Sequence, residues 1–295
     1  MAEEKNDDAA LPPTEMIYYS YEGNFELECN SSKIVGITKD GDDDTVEVFL
    51  DRTVMHAQGG GQPTDKGTIT YCQPTNNSEV VIAVDKVTVN RATGVASHRG
   101  KTTNALVCLP AVGTPVRVAV DADTRRLLSE CHTAGHVVDS AMAKCGKLMR
   151  PTKGYHFLDG PYVEYEGSIV ADERPQVLKD LQAAFKALVE EDIPTKIETL
   201  PEAEANEVCN RIAKNFDMKD FGGGKEVPTD IRVVTVAGFP CPCGGTHVRS
   251  TGNLKARKWG ILGMKAKKGV IRIKYAKTHK TEQLQTRLHA VSLQY

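Results

Sequence analysis

The chain changes character at Asp121, and that break constrains its fold more than any other feature. From about residue 17 to 118 nearly every signal is strand or turn. Ile34 to Thr38, the turn Lys39-Asp40-Gly41-Asp42, and Thr45 to Leu50 predict a hairpin. Further strands are predicted over Thr68–Tyr71, Val80–Val84, Ala105–Cys108 and Val116–Val120. Short strands at this spacing point to a small antiparallel barrel or sandwich. Beyond the break, Asp121 to Thr124 reads as a helix start, with acids at the positive end of the dipole. Arg125 to Lys144 then carries Leu127, Leu128, Cys131, Val137, Val138 and Met142 at roughly helical intervals.

The rest mixes both element types. Strands are predicted around Tyr155-His156-Phe157 and over Tyr162–Glu166, Ile231–Val236 and Val270–Tyr275. Helices are predicted over 174–191, 202–216 and 280–293, with a loop at glycines 222–224. Without strict strand–helix alternation, the expected class is α+β. The 295 residues suit two domains. The expected division is a disordered acidic leader over 1–14, a small N-terminal antiparallel β-barrel domain over 15–118, and an α+β domain over 119–295.

Several classes are disfavoured. No apolar run approaches the roughly 18 residues of a membrane span, and mean hydropathy is −0.35. The opening residues are acidic and lack an apolar signal region, so a cytoplasmic protein with no membrane partner is expected. Eight dispersed cysteines in 295 residues do not suggest a disulfide framework. Charge is strongly polarised: residues 1–51 hold fourteen acids against three bases, and residues 249–295 hold twelve bases against Glu282 alone. A basic end of this kind either meets a polyanion or forms a solvated face, and charge alone leaves both open.

Three clusters carry candidate chemistry. In His132-Thr133-Ala134-Gly135-His136 the two histidines share one helix face, at a separation suited to one ion. The spacing lacks the glutamate of the HExxH peptidases. In Cys241-Pro242-Cys243-Gly244-Gly245-Thr246-His247, Cys243 and His247 are again four apart, on a glycine turn after a strand. Three imidazoles and one thiolate make a tetrahedral Zn²⁺ set, one ion per chain; Cys241 is a competing thiol that the spacing disfavours. The third cluster is Gln58-Gly59-Gly60-Gly61-Gln62-Pro63-Thr64-Asp65. It could bring backbone N–H groups close to a phosphate or be an ordinary loop, and it lacks the Lys-Ser/Thr ending of a nucleotide P-loop.

In this order the clusters resemble the free-standing alanyl-tRNA editing proteins of the AlaX type, in their medium-length form, and the editing regions of alanyl- and, more distantly, threonyl-tRNA synthetases. The matching text is Asp51-Arg52-Thr53-Val54, Gly59 to Gly67, His132 to His136, Gly154-Tyr155-His156-Phe157, Ile231 to Val234 and Pro242 to Val248. The resemblance implies a catalytic editing domain: a carboxylic-ester hydrolase that removes serine, with glycine as an open second substrate, from mischarged tRNA specific for alanine. Editing of seryl-tRNA specific for threonine and an inactive tRNA-binding relative are the alternatives. It implies zinc on His132, His136, Cys243 and His247, and substrate-positioning roles for Gln62, Asp65 and Thr152. Gly59, Gly60 and Gly61 would approach the tRNA, with the glycine motif on the N-terminal domain. Met55-His56 departs from the family pattern and leaves the role of His56 open.

Lys255, Arg257, Lys258, Lys265, Lys267 and Lys268, with Arg272 and Lys274, are the expected tRNA contacts, since phosphate binding needs cations. His156 could line the site or pack as a strand residue. His98, His279 and His289 show no partner pattern and are expected at the surface.

Overall fold

The computed structural model describes residues 11–39, 44–73, 78–103, 109–213 and 230–277. These fall into two compact units. The first holds residues up to Tyr18, Glu26–Gln58 and Thr64–Thr124; the second holds Tyr19–Phe25, Gly59–Pro63 and the chain from Arg125 onward.

In the first unit the strands are β1 (Glu15–Met16), β2 (Glu28–Lys39), β3 (Thr45–Leu50), β4 (Arg52–Thr53), β5 (Gly67–Cys72), β6 (Glu79–Asn90), β7 (Val95–Thr102) and β8 (Pro115–Val120). Six close into a barrel in the order β2-β3-β7-β6-β5-β8, and β1 pairs with β4 in parallel. Alternation along β3 sends Val46, Val48 and Leu50 inward, where they join Ile34, Ile69, Ile82 and Val118. Each such side chain contributes about 1.5–3 kcal/mol on burial.

Strand β7 escapes the sequence patterns for a physical reason. After buried Val95, its alternating buried positions are Ala96, His98, Gly100 and Thr102, so no apolar alternation marks it. His98 is therefore not a surface residue; it is fully buried in the barrel. Its Nδ1 lies 3.1 Å from the Val48 carbonyl and its Nε2 2.9 Å from the Thr53 hydroxyl. A carbonyl can only accept, so Nδ1 carries the proton and Thr53 donates to Nε2. Thr14, expected in the leader, is also bound to the barrel: its hydroxyl donates to the Leu50 carbonyl and accepts the Ala96 N–H. The rest of the leader, the turn at 40–42, the strand at 105–108, the loop at 222–224, the end of the 202–216 helix, the 280–293 helix, His279 and His289 lie outside the described residues, apart from 11–14.

The second unit is α+β. Its elements are α1 (Ala122–Lys144, begun in the first unit), β9 (Arg150–Tyr155), β10 (Tyr162–Glu166), α2 (Arg174–Glu190), β11 (Lys196–Pro201), α3 (Glu202–Ala213), β12 (Asp230–Val236), β13 (Phe239–Pro242), β14 (Trp259–Lys267) and β15 (Val270–Lys277). One antiparallel sheet runs β14-β15-β10-β9 and another β11-β12-β13. Leu181 and Phe185 of α2, Val137 and Val138 of α1, and Ile271, Ile273 and Tyr275 of β15 share the core. No helix among the described residues is long and apolar enough to cross a membrane.

Candidate metal centre

Helix α1 is buried without a break from Leu128 to Met142, yet it is not apolar all round. Ser129, His132, Thr133, His136 and Ser140 recur at helical spacing and form one polar stripe inside the protein. Buried polar groups need partners, so this stripe dictates what packs on it. Ser140 donates to the Val236 carbonyl at the end of β12. Ser129 meets the Thr246 hydroxyl at 2.8 Å, and Thr133 accepts the Val248 N–H. These bonds hold the segment after β13 along the helix.

The outcome is one cluster: single donor atoms of His132, His136, Cys243 and His247 all lie within 4.8 Å of one another. The Cys243 Sγ is 3.4 Å from His132 Nε2 and 3.3 Å from His247 Nε2. Such a set could bind a metal ion. Cys241 is outside it, on β13, with burial and the neighbouring Cys243 pushing its thiol well up.

The far nitrogens of His132 and His247 are attended. Gln62 Oε1 lies 2.7 Å from His132 Nδ1, and it also accepts the Thr246 N–H while Gln62 Nε2 donates to the Thr246 hydroxyl. Those two bonds fix which end of the amide is oxygen, so Nδ1 of His132 carries the proton and Nε2 offers its lone pair toward Cys243. The Thr133 hydroxyl is 3.3 Å from His247 Nδ1. Asn24 clasps His247 from the other side, accepting its N–H and donating to its carbonyl. His136 Nδ1 is buried without a hydrogen bond, with Asp139 Oδ2 standing 3.9 Å away, and Tyr165 donates to the other Asp139 oxygen.

Burial sets the protonation states. It brings His136 down to about 4, helped by the charge of Arg232, so the imidazole is neutral and able to donate a lone pair. Burial pushes the Asp139 carboxyl up to about 7. It also raises the Cys243 thiol, while Arg232 and the Gly245 N–H pull the other way. Arg232 further ties down this loop by donating to the Cys243 and Tyr19 carbonyls.

The glycine motif packs with this unit. Gly59 and Gln62 exchange backbone hydrogen bonds in a tight turn, with Gly60 and Gly61 at φ 56° and 78°. A Cβ on Gly61 would overlap the Gly154 carbonyl, whereas one on Gly60 would meet nothing within 4 Å. Gly245 is equally constrained, since a Cβ there would overlap the His132 ring. Asp65 belongs to the barrel unit, where its Oδ2 accepts the His56 N–H at 2.7 Å. His56 is buried and stands edge-on to Tyr18.

Thr152 lies opposite a register shift between β9 and β10, exposed, with its hydroxyl donating to Glu164. His156 is buried and stacks on His132 at 4.1 Å, its Nδ1 2.5 Å from the Tyr275 hydroxyl. Both readings of His156 thus hold at once, packed residue and wall of the cluster.

Among the basic residues, Lys258, Lys265, Lys267, Lys268, Arg272 and Lys274 are exposed. Arg257 is engaged: it pairs with buried Glu130, which also accepts from the Trp259 indole. Lys255 donates to the Glu190 carbonyl. Glu130 and Glu164, distant in sequence, stand beside this stretch in the fold, Glu130 paired with Arg257 and Glu164 with Arg272. Sequence reasoning missed Asn24, Thr133, Asp139, Arg232 and Tyr275. Thr133 and Asp139 were findable as polar residues on a helix otherwise suited to burial; Asn24 has no sequence signal.

Residues 231–274, which include Cys243 and His247, match the family described as the threonyl and alanyl tRNA synthetase second additional domain. The chain is 30% identical to the alanyl-tRNA editing protein AlaX-L of Pyrococcus horikoshii over 84% of its own length and 53% of that protein. The chain is a relative of the alanyl-tRNA editing proteins. It is also 31% identical to the alanine–tRNA ligase of Halorubrum lacusprofundi over 84% of its length and 24% of the ligase. The figures for the ligase of Thermofilum pendens are 29%, 88% and 26%. The chain thus spans about half of the editing protein and a quarter of the ligases.

Proposed function

We propose that this chain is a zinc-dependent deacylase that removes serine from mischarged tRNA specific for alanine. The observation that carries the reading is the four-donor cluster on a buried frame, with a polar side chain within hydrogen-bond reach of the far nitrogens of His132 and His247. The donors suit zinc. Bond lengths of about 2.3 Å to sulfur and 2.0–2.1 Å to nitrogen give tetrahedral S···N edges of about 3.5 Å, close to the 3.3 and 3.4 Å found here.

When bound, zinc supplies Lewis acidity toward an ester carbonyl or a water. The chain's own residues do the rest. Gln62 holds the His132 tautomer, Thr133 and Asn24 position His247, and Arg232 fixes the Cys243 loop. The similarity to an alanyl-tRNA editing protein supports tRNA as the partner. Serine is the logical target, because a pocket sized for alanine rejects serine poorly, whereas a site that hydrogen-bonds the serine hydroxyl can spare alanine. Thr152 is already engaged by Glu164, so the reading does not rest on it.

The test compares hydrolysis of seryl-tRNA specific for alanine, seryl-tRNA specific for threonine, and correctly charged alanyl-tRNA. Selective loss of serine from the first supports the reading. Equal hydrolysis of alanyl-tRNA, or none of any substrate by metal-loaded protein, contradicts it.

A further inference from the structure

The outer face of the β14-β15-β10-β9 sheet carries aromatic and basic side chains that the metal centre does not use. Along β15, Ile271, Ile273 and Tyr275 point into the core while Arg272 and Lys274 point out. Along β10, Val163 and Tyr165 are buried, and Tyr162 and Glu164 take the other face. Tyr162 is cross-strand partner to both Tyr155 and Lys274, and Arg272 to both Glu164 and Lys265.

The rings are ordered. Tyr155 stacks on Tyr162 at 5.3 Å and on Phe157 at 4.7 Å, with interplanar angles of 20° and 18°. The Arg272 guanidinium lies 4.9 Å from the Tyr162 centroid, oriented by Glu164 at 2.6 Å. A shallow pocket of about 290 Å³ is lined here by Tyr155, Asp159, Gly160, Tyr162, Lys265, Arg272 and Lys274, with the Tyr155 hydroxyl donating to the Asp159 carboxylate. The chain just past β9 also ties this face to the cluster, because Tyr155 and Phe157 flank His156, which is buried with its ring stacked on His132.

We propose that this face binds the unpaired 3′ end of an RNA, with bases stacked on Tyr155, Phe157 and Tyr162 and phosphates along Lys265, Arg272 and Lys274. Near-parallel, half-buried rings beside exposed cations are a combination that holds single strands without sequence readout. Aromatics on the open face of a four-stranded sheet serve the same end in RNA-binding modules. A metal-site wall and a stacking platform built from three consecutive residues would bring an RNA terminus to the cluster. That the RNA is a tRNA acceptor end rests on the deacylase reading; binding itself does not.

The experiment uses the full metal-loaded chain and an uncharged, fluorescein-labelled single-stranded RNA ending in CCA, read by anisotropy. The Tyr155→Leu/Tyr162→Leu protein should bind about 10- to 100-fold more weakly, as expected for loss of one or two stacked bases. Tyr155→Phe/Tyr162→Phe, which keeps the rings, should bind like wild type. Lys265→Gln/Lys274→Gln should reduce the slope of log K against log salt by about 1.4, at about 0.7 per phosphate contact on a single strand; this arm stands even if the leucine protein folds poorly. Metal content should not change in any of the three.

Unchanged affinity in folded leucine variants, or an unchanged salt slope in the lysine variant, overturns the platform. So does equal loss in the phenylalanine and leucine proteins, which would place the effect in the phenols. Ring-dependent RNA binding by a protein that hydrolyses no seryl-tRNA would uphold the platform and remove the deacylase. Seryl-tRNA hydrolysis with ring-independent binding would do the reverse.

Discussion

Gln62 lies 2.7 Å from the Nδ1 of His132, although seventy residues separate them in the chain. Its amide is locked by two bonds to Thr246, so it can only accept there, and the imidazole turns an unprotonated Nε2 toward Cys243. One glutamine therefore joins the glycine motif, the helix and the cysteine loop. Gln62→Leu should lower zinc affinity about 10- to 100-fold, the usual effect of losing a partner behind a ligand. Competition with a fluorescent chelator measures it, and wild-type affinity would leave Gln62 no orienting role.

The neighbouring glycines separate two kinds of constraint. A Cβ on Gly60 meets nothing within 4 Å, and only its φ of 56° opposes it, costing about 1–2 kcal/mol. A Cβ on Gly61 adds the overlap with the Gly154 carbonyl. Thermal melts should show Gly61→Ala several degrees below Gly60→Ala. The reverse order would mean that the turn does not pack as described.

Much of this site was legible, and the reason is spacing. Two pairs of candidate ligands four residues apart stand out in a sequence whatever the fold, and the helix around His132 and His136 has a plain apolar period. Strand β7 was not legible, because its inward positions are filled by Ala96, His98, Gly100 and Thr102. Nor was Arg257 separable from its basic neighbours, since its partner Glu130 lies 127 residues away. Sequence shows charge, and only the fold shows which charges are already paired.

That distinction can be measured. Arg257→Gln strands a buried carboxylate beside Trp259 and should cost roughly 3 kcal/mol, the lower end for a broken buried pair because Arg257 is itself partly exposed. Lys267→Gln changes an exposed side chain and should stay within about 0.5 kcal/mol. Denaturant titrations of both proteins decide it, and equal stability would return Arg257 to the solvated set.

His98 makes the barrel sensitive to acid. Burial holds its folded pKa at about 4, against 6.5 for an ordinary histidine. Between those values the unfolded chain binds more protons, so stability is full above about pH 6.5 and falls as pH drops toward 4. At 1.36 kcal/mol per unit the loss is on the order of 3 kcal/mol. His98→Gln cannot titrate, and its stability should vary less over that window even if it is lower at neutral pH. Parallel pH curves for the two proteins would place the acid sensitivity elsewhere.

The central claim is that His132, His136, Cys243 and His247 hold one zinc ion on which deacylation depends. Zinc content and seryl-tRNA hydrolysis, measured side by side on wild type, Cys241→Ala and Cys243→Ala, test it most directly. Wild type and Cys241→Ala should each carry about one zinc per chain and hydrolyse the ester, while Cys243→Ala, deprived of the sole thiolate, should lose both together. Full zinc occupancy in Cys243→Ala, or undiminished hydrolysis by protein stripped of zinc, would contradict the account.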